Sequence, residues 1–170
     1  AEKTENNSKS KEYKNTLQPV TYPNGAYGNL KLPEAETLLF KNATVWTNET
    51  QGILKNTDVL VKHGKISAIG QNLNSKKVRV IDATGKHLTS GIVDEHSHIA
   101  AASINEAGQN SSAEVSIEDV VEADDIDIYR NLSGGVTTIQ ILHGSANPIG
   151  GRSAIIKLKG GLAAEDLIYE

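Results

Sequence analysis

The feature that most constrains this chain is a short apolar run, Ile92 and Val93, that leads directly into two histidines, His96 and His98. Branched apolar residues favour a β-strand, and side chains two residues apart on a strand point to the same face. The two imidazoles are therefore predicted to project together, roughly 6–7 Å apart at about 3.3 Å per residue. Two neutral imidazoles at that spacing can bind one metal ion such as zinc, iron or nickel. Asp94 lies one step earlier on the same face, where its carboxylate is predicted to orient a ligand imidazole.

This pair of histidines also has a simpler interpretation, because solvated surface histidines give the same pattern. The neighbouring residues favour the metal site over that alternative. Gly91 precedes the apolar run, and three alanines follow the pair at positions 100–102. This pattern is typical of a buried strand whose end opens into a site.

Composition restricts both the chemistry and the binding partners of the chain. Its 170 residues contain no cysteine, so a metal site has to use histidine, carboxylate or a modified lysine. The net charge of −4 lacks the basic excess of a nucleic-acid-binding protein. No apolar run approaches the ~20 residues of a membrane span. We therefore expect a small-molecule substrate, no nucleic-acid partner and no membrane span.

The N-terminal segment is not expected to contribute to a core. Residues 1–16 are rich in Lys, Glu, Asn and Ser, and they are predicted to form a flexible leader because they bury too little apolar surface to offset their ordering entropy. Such a leader favours an exported protein, periplasmic or secreted, over a cytoplasmic protein with a polar tail. Residues 17–36 are dense in proline and glycine, which predicts an extended, turn-rich connection.

The next region is predicted to be rich in β-structure. Strands are predicted over residues 38–47, 58–62, 65–70 and 78–82, with a shorter one at 52–54. His63-Gly64 lies between two of these strands and predicts a tight hairpin turn. His63 is therefore interpreted as a turn residue and not as a metal ligand. His87 follows a second turn and is predicted to be exposed.

The second half of the chain predicts a strand–helix–strand unit. A helix is predicted over residues 122–133, with two aspartates in its first turn and an apolar stripe of Ile126, Tyr129 and Leu132. Gly134-Gly135 ends it. A continuous apolar strand is predicted over residues 136–142 and a short strand over 154–159. The order of these elements after Ile92 reads as a βαβ unit.

These motifs together resemble the amidohydrolase superfamily. The segment 91–98, preceded by Val-Ile-Asp-Ala-Thr-Gly-Lys at 80–86, is similar to the first barrel strand of that superfamily. Residues 38–45 and 59–70 resemble its N-terminal β-sandwich strands, and Gly-Gly-Val-Thr-Thr at 134–138 resembles its second barrel strand. The similarity extends from about Leu38 to about Lys159 and is greatest to the imidazolonepropionase-like branch. Ser90 departs from the pattern, since the family usually has proline there.

The resemblance implies a fold, a cofactor and an activity. The fold class is α/β: part of a composite β-sandwich over residues 37–90, then the first strands of a distorted TIM (β/α)₈ barrel over 91–170, incomplete in this chain. The activity implied is hydrolysis of an amide or cyclic amide C–N bond with the help of one or two divalent metal ions, expected to be zinc. His96 and His98 would be metal ligands, the remaining ligands and the catalytic residues coming from later strands.

Loops at the C-terminal ends of barrel strands build active sites. The loop after the second strand carries His143, Asn147 and Arg152, which are predicted to contact the substrate, although a lone histidine such as His143 also fits a structural role. Residues 99–113 follow the histidine pair and are predicted either to line the same pocket or to form a plain connection.

Two other functions remain open at the level of sequence. One is an amino-sugar deacetylase, which shares the strand motif. The other is a non-enzymatic, β-rich binding module whose histidine pair is incidental. A complete barrel takes about 250 residues, so this chain is expected to be the N-terminal portion of a larger enzyme. Its expected partners are the rest of that enzyme or a complementing chain, and a second copy in a homo-oligomer.

Overall fold

The computed structural model describes residues 34–169. The predicted leader over residues 1–16, and the predicted connection up to residue 33, lie outside the described residues. The described chain forms two β-sheets and one α-helix. The strands are β1 (Leu38–Trp46), β2 (Ile53–Lys62), β3 (Lys65–Gly70), β4 (Arg79–Asp82), β5 (His87–Leu88), β6 (Ile92–Ser97), β7 (Val136–Ile141) and β8 (Ala154–Lys157), and the helix is α1 (Ile126–Ser133).

The first sheet is built around β1, with strand order β3-β2-β1-β4 and with β5 also paired to β1. β1 is antiparallel to β2 and parallel to β4 and β5. The predicted strands at 52–54 and 58–62 are one continuous strand, although its pairing with β1 shifts register on both sides of Ala43. The buried core of this sheet consists of Ala43, Val45, Val59 and Ala83.

The turn between β2 and β3 confirms the predicted hairpin. His63 and Gly64 have φ values of 49° and 71°, so both central residues are left-handed, as in the turn type that matches strand twist in two-residue hairpins. Glycine adopts this conformation at no steric cost. His63 therefore serves the turn, as its sequence context predicted.

Asp58 is the buried charge of the first sheet. It lies on β2 with 2% of its surface exposed. Its carboxylate accepts hydrogen bonds from Lys41 Nζ at 2.5 Å and from the N–H groups of Asn42 and Leu73, each at 3.0 Å. Burial opposes ionisation, but the hydrogen bond from Lys41 and the two N–H groups outweigh it and hold the pKa of Asp58 below its usual value.

The second sheet contains the predicted βαβ unit. β6 and β7 are parallel neighbours, and α1 lies between them in sequence and packs on β7. The apolar faces of these elements share one core. Its buried members are Ala100, Ile117, Ile128, Ile139, Ile141, Ala154, Ile156, Leu158 and Leu167.

The structure contains only part of the predicted start of a TIM barrel. β8 runs antiparallel to the second part of β7, from Thr138 opposite Lys157 to Ile141 opposite Ala154. The described sheet therefore has the order β6-β7-β8 and contains two parallel strands, not a closed barrel. The observed architecture is mixed α/β, mostly sheet with one helix.

The helix is shorter than predicted. It begins at Ile126 and not at residue 122, because Asp125 is the N-cap and its side chain accepts a hydrogen bond from the Asp127 N–H. The predicted apolar stripe is also rotated. Ile128 is fully buried whereas Tyr129 is 45% exposed, so the helix packs through Ile128 and Leu132. Within residues 34–169, no helix is long and apolar enough to cross a membrane.

Candidate functional site

The end of β6 brings the two predicted histidines together. The ring centroids of His96 and His98 are 5.2 Å apart, and the ring planes are nearly perpendicular at 85°. Both side chains are exposed, whereas Ser97 between them is buried. The pairing of β6 with β7 is irregular between Asp94 and Ser97. The two imidazoles nevertheless lie on the same side of the strand end, as their spacing predicted.

The orientation of the His98 ring is fixed from the neighbouring strand. His98 Nδ1 lies 2.9 Å from the main-chain carbonyl oxygen of Leu142, which follows β7. Because a carbonyl oxygen can only accept, this contact selects the tautomer with the proton on Nδ1. The lone pair is then on Nε2. A carbonyl contact of this kind is how proteins usually set the tautomer of a ligand histidine.

The histidine pair opens into a depression of about 320 Å³. One wall comes from β6 and the other from the loop that follows β7, so the depression lies at the C-terminal ends of two parallel strands. This is where open and closed α/β sheets place their ligands. The lining residues are His96, His98, Leu142, His143, Gly144, Ser145, Asn147, Gly150 and Gly151.

The spacing of the two rings fits a shared metal ion. Two imidazoles on one tetrahedral zinc ion, with Zn–N bonds of about 2.0–2.1 Å, have ring centroids about 5 Å apart, and the centroids here are 5.2 Å apart. Over residues 34–169, no group of three or more His, Cys, Asp or Glu side chains is placed to hold a metal ion. Within the described residues, two imidazole donors therefore lie close together without a third donor beside them.

Asp94 was predicted to orient an imidazole, but its carboxylate bonds to the main chain instead. Its Oδ1 accepts a hydrogen bond from the main-chain N–H of His96 at 3.2 Å. In the pairing with β7, Asp94 lies opposite Ile139, whose side chain belongs to the buried core. The carboxylate therefore braces the strand end and not a ring.

The three residues predicted to contact substrate lie in different places. His143 lines the depression, and its Nε2 atom is buried with no hydrogen-bond partner. Asn147 also lines it, but its amide donates to Glu106 Oε2 at 3.1 Å and to the Gln109 carbonyl at 3.0 Å, which ties two loops together. Arg152 is exposed and lines neither this depression nor the neighbouring one.

A second depression of about 290 Å³ lies beside the first and shares His143 with it. Residues 99–113 were predicted to line the pocket of the histidine pair or to form a plain connection; they contribute none of the lining of the first depression and half of the lining of this second one. Its lining residues are Ser103, Ile104, Asn105, Glu106, Gln109, Ser112, Glu114, Val115, Ser116, Asp119, Val120 and His143. The N–H of Gly108, together with Asn147 and the N–H of Gln109, holds the pKa of Glu106 below its usual value.

Sequence reasoning missed the contact between α1 and the turn that follows His98. Asp125 Oδ2 accepts a hydrogen bond from the Ala100 N–H at 2.7 Å, and Ala100 has φ 56° although it is not glycine. The rule that aspartate precedes the first residue of a helix could have identified Asp125 as the N-cap. No pattern in the sequence indicates its second bond, because that bond joins residues 25 positions apart.

Several known proteins that are similar to this chain carry the names of enzymes. No family model matches the chain. It is 34% identical over 145 residues to the amidohydrolase tasK of Hapsidospora irregularis, a match that covers 70% of this chain and 15% of that protein. It is 48% identical over 61 residues to a dihydroorotase of Halalkalibacterium halodurans, and 43% identical over 63 residues to an allantoinase of Salmonella paratyphi B. These shorter matches cover 36% and 37% of this chain, and 14% and 13% of the relatives.

One solved structure matches most of the described fold. The crystal structure of an amidohydrolase from Thermotoga maritima superimposes with a TM-score of 0.66 at 38% sequence identity, covering 78% of this chain and 36% of that chain. The chain thus spans about a third of its solved relative and about a seventh of the curated relatives. Because the match covers 78% of this chain, it is too long to be confined to either sheet.

Proposed function

This chain belongs to the amidohydrolase superfamily, of which it matches the N-terminal portion, and we propose that the complete protein is a metal-dependent hydrolase of an amide or cyclic amide C–N bond. Relatives named amidohydrolase, dihydroorotase and allantoinase support C–N bond hydrolysis in general. The observation that carries the metal-dependent form of the proposal is the 5.2 Å separation of the His96 and His98 rings at the mouth of the depression.

The two histidines would hold the metal ion, which is expected to be zinc because its borderline character suits imidazole ligands. The chemistry that a divalent ion would supply there is a more acidic bound water and a polarised scissile carbonyl group. The role of the chain itself is to position the donors. The Leu142 carbonyl holds the His98 ring in the tautomer that leaves Nε2 free, and Asp94 holds the main chain at His96.

The substrate would bind in the depression beside the two rings. The loop after β7 forms one wall, and glycines at positions 144, 150 and 151 let the main chain approach closely. His143 is the one lining side chain with a buried nitrogen atom that lacks a hydrogen-bond partner in the described chain, so it is placed to pair with a polar group of the substrate. Residues outside this chain would supply the general base and the remaining ligands.

The alternatives from the sequence differ in their support. A non-enzymatic binding module is disfavoured, because the matched relatives carry enzyme names. No described residue favours an amino-sugar deacetylase over a cyclic amidase. Because matched relatives are named dihydroorotase and allantoinase, we expect ring opening of a cyclic amide, and not release of acetate from an N-acetyl amino sugar, when the complete protein is tested on both.

The test is metal analysis and hydrolysis by the complete protein carrying His96→Ala and His98→Ala together. We expect loss of bound metal and of activity, because two nitrogen donors are removed. The matched control carries His63→Ala and His87→Ala, which removes the same number of imidazoles from the first sheet. The control should keep both properties. Equal, stoichiometric metal in the two double variants would overturn the assignment.

A further inference from the structure

The turn that follows His98 has an unusual conformation for its residue type. Ala100 has φ 56° and is completely buried in the core of the second sheet. Residues other than glycine, asparagine and aspartate rarely adopt this left-handed backbone conformation. Such a residue persists only where the surrounding structure fixes it. The contacts of Ala100 therefore show what holds the turn beside the histidine pair.

A single carboxylate joins this turn to the helix. Asp125 Oδ2 accepts a hydrogen bond from the Ala100 N–H at 2.7 Å. The other oxygen, Oδ1, accepts from the Asp127 N–H at 2.8 Å and so caps the first turn of α1. Each oxygen thus serves a different segment of the chain. The start of α1 and the main chain two residues after His98 are fixed to the same side chain.

Further bonds align the two segments on either side of this contact. The Ala100 carbonyl accepts a hydrogen bond from the Glu122 N–H, and the Ala102 N–H donates to the Val120 carbonyl, both at 2.9 Å. These are main-chain bonds, so most substitutions leave them intact. Asp125 is the one side chain in this set of contacts, and it bonds the N–H of the strained residue directly.

We infer that Asp125 is a positioning residue for the histidine pair: by holding Ala100 in its left-handed turn, it fixes the main-chain direction at His98. The His98 ring is held at its other end by the Leu142 carbonyl at 2.9 Å. The imidazole is thus constrained both through its ring and through the main chain that follows it. The consequence for metal binding rests on the proposed function, whereas the consequence for the ring orientation does not.

The geometry requires a carboxylate at position 125. Asparagine has almost the same shape but offers one acceptor oxygen, and its amide nitrogen can only donate. Both groups that contact Asp125 are N–H donors, so Asp125→Asn places two donors face to face at one of them. Either the helix cap or the Ala100 bond is then lost.

The test compares Asp125→Asn with Asp124→Asn in the complete protein. Asp124 is exposed, is the preceding residue and carries the same charge, so it is a matched control. For Asp125→Asn we expect about a 10-fold loss of affinity for Zn²⁺ or Co²⁺, at the low end of the effect of removing a residue that orients a ligand. The Ala100 amide should exchange faster, and the His98 ring nitrogens should show a mixture of tautomers by NMR. The control should match the wild type.

A second substitution separates positioning from a purely structural role of the helix cap. Glycine adopts the left-handed conformation without help, so adding Ala100→Gly to Asp125→Asn should restore much of the lost metal affinity and the single His98 tautomer. A helix cap acting alone would lower stability and leave both readouts unchanged. Unchanged tautomer and Ala100 exchange in Asp125→Asn would overturn the inference. Absence of metal binding in the wild type would overturn the proposed function, while the NMR and exchange readouts would still decide the inference.

Discussion

Among single residues, Asp58 combines nearly complete burial with three hydrogen bonds that favour its charged form. Its pKa is lower in the folded protein than the ordinary value of 3.8. A depressed folded-state pKa contributes stability that is present above the unfolded value and is lost as the pH falls through the folded value. The first sheet is therefore expected to lose stability below about pH 4, where the unfolded chain takes up this proton.

Asp58→Asn should reduce the free energy of unfolding at pH 7 by about 1–3 kcal/mol, because it leaves the Lys41 ammonium group without its counter-charge. It should also flatten the decline in stability between pH 5 and 3, since the titrating group is gone. Urea unfolding at several pH values measures both effects. Asp82→Asn, at an exposed aspartate of β4, is the control and should change stability less. An unaltered pH profile in Asp58→Asn would contradict this assignment.

Two adjacent glycines in the wall of the depression differ in the space around them. A Cβ atom at Gly151 would lie 2.4 Å from the Val115 carbonyl oxygen and 2.7 Å from His143 Nε2, whereas one at Gly150 would meet only His143 Cβ at 3.5 Å. Main-chain atoms cannot move aside as a flexible side chain can. Gly151 is therefore required by close packing around His143.

Gly151→Ala should lower the free energy of unfolding by about 1–3 kcal/mol, as expected for overpacking. It should also displace His143 and raise the KM of the complete enzyme. Gly150→Ala is the matched control, because it adds the same methyl group in ordinary contact, and it should stay within about 0.5 kcal/mol of the wild type. Equal effects of the two substitutions on thermal unfolding would refute the packing argument.

At the scale of elements, the strands and turns of the first sheet followed from the sequence better than the helix did. The strands follow from short apolar runs and the turn from the His63-Gly64 pair. Because these are local features, the positions of both could be predicted directly from the sequence. The start of α1 could not be predicted in the same way, because it depends on which aspartate is the N-cap. Asp125 is the N-cap, and it also bonds to Ala100, which is distant in sequence. The antiparallel direction of β8 could not be predicted either, because hydrophobic periodicity does not distinguish parallel from antiparallel strands.

The hairpin between β2 and β3 offers a direct test of local strain. His63 is left-handed at φ 49°, a conformation that asparagine adopts more readily and that β-branched residues resist. His63→Asn should stabilise the protein by a few tenths of a kcal/mol, and His63→Val should destabilise it by about 1–2 kcal/mol. Lys65→Val, on the adjacent strand, should change stability by less than about 0.5 kcal/mol. Chemical denaturation of the three variants measures the differences.

For the whole molecule, the second sheet is open at its β6 edge within the described chain, whereas residues 167–169 pair with the outer edge of β8. Its order is β6-β7-β8, and Ile92, Val93 and Ile155 are 55%, 63% and 43% exposed. Open edges with apolar side chains promote association with other chains. The candidate site is similarly incomplete, because the described residues provide two histidine donors and no third. Neither a third donor nor a strand beside β6 could be predicted from the residues of this sequence.

The 170-residue chain expressed by itself should therefore associate or pack loosely, since apolar surface left in water costs about 25 cal/mol per Å². We expect it to bind a hydrophobic dye and to sediment as a mixture of species. Val93→Lys should reduce this association, whereas the control Ile149→Lys, at an exposed position in a loop, should reduce it less. A monodisperse monomer with one cooperative thermal transition would show that the fold closes within this chain.

The contact between the His98 ring and the Leu142 carbonyl has a consequence for the order of events during synthesis. The two groups are 44 residues apart in the chain, and α1 and β7 lie between them. His98 leaves the ribosome well before its carbonyl acceptor does, at synthesis rates of about 5–20 residues per second. Until β7 has emerged and paired with β6, the imidazole rotates freely, so a metal ion captured at that stage would meet an unsorted mixture of tautomers. The His98 ring therefore gains its fixed orientation, on which the proposed metal site depends, only after the second parallel strand has paired.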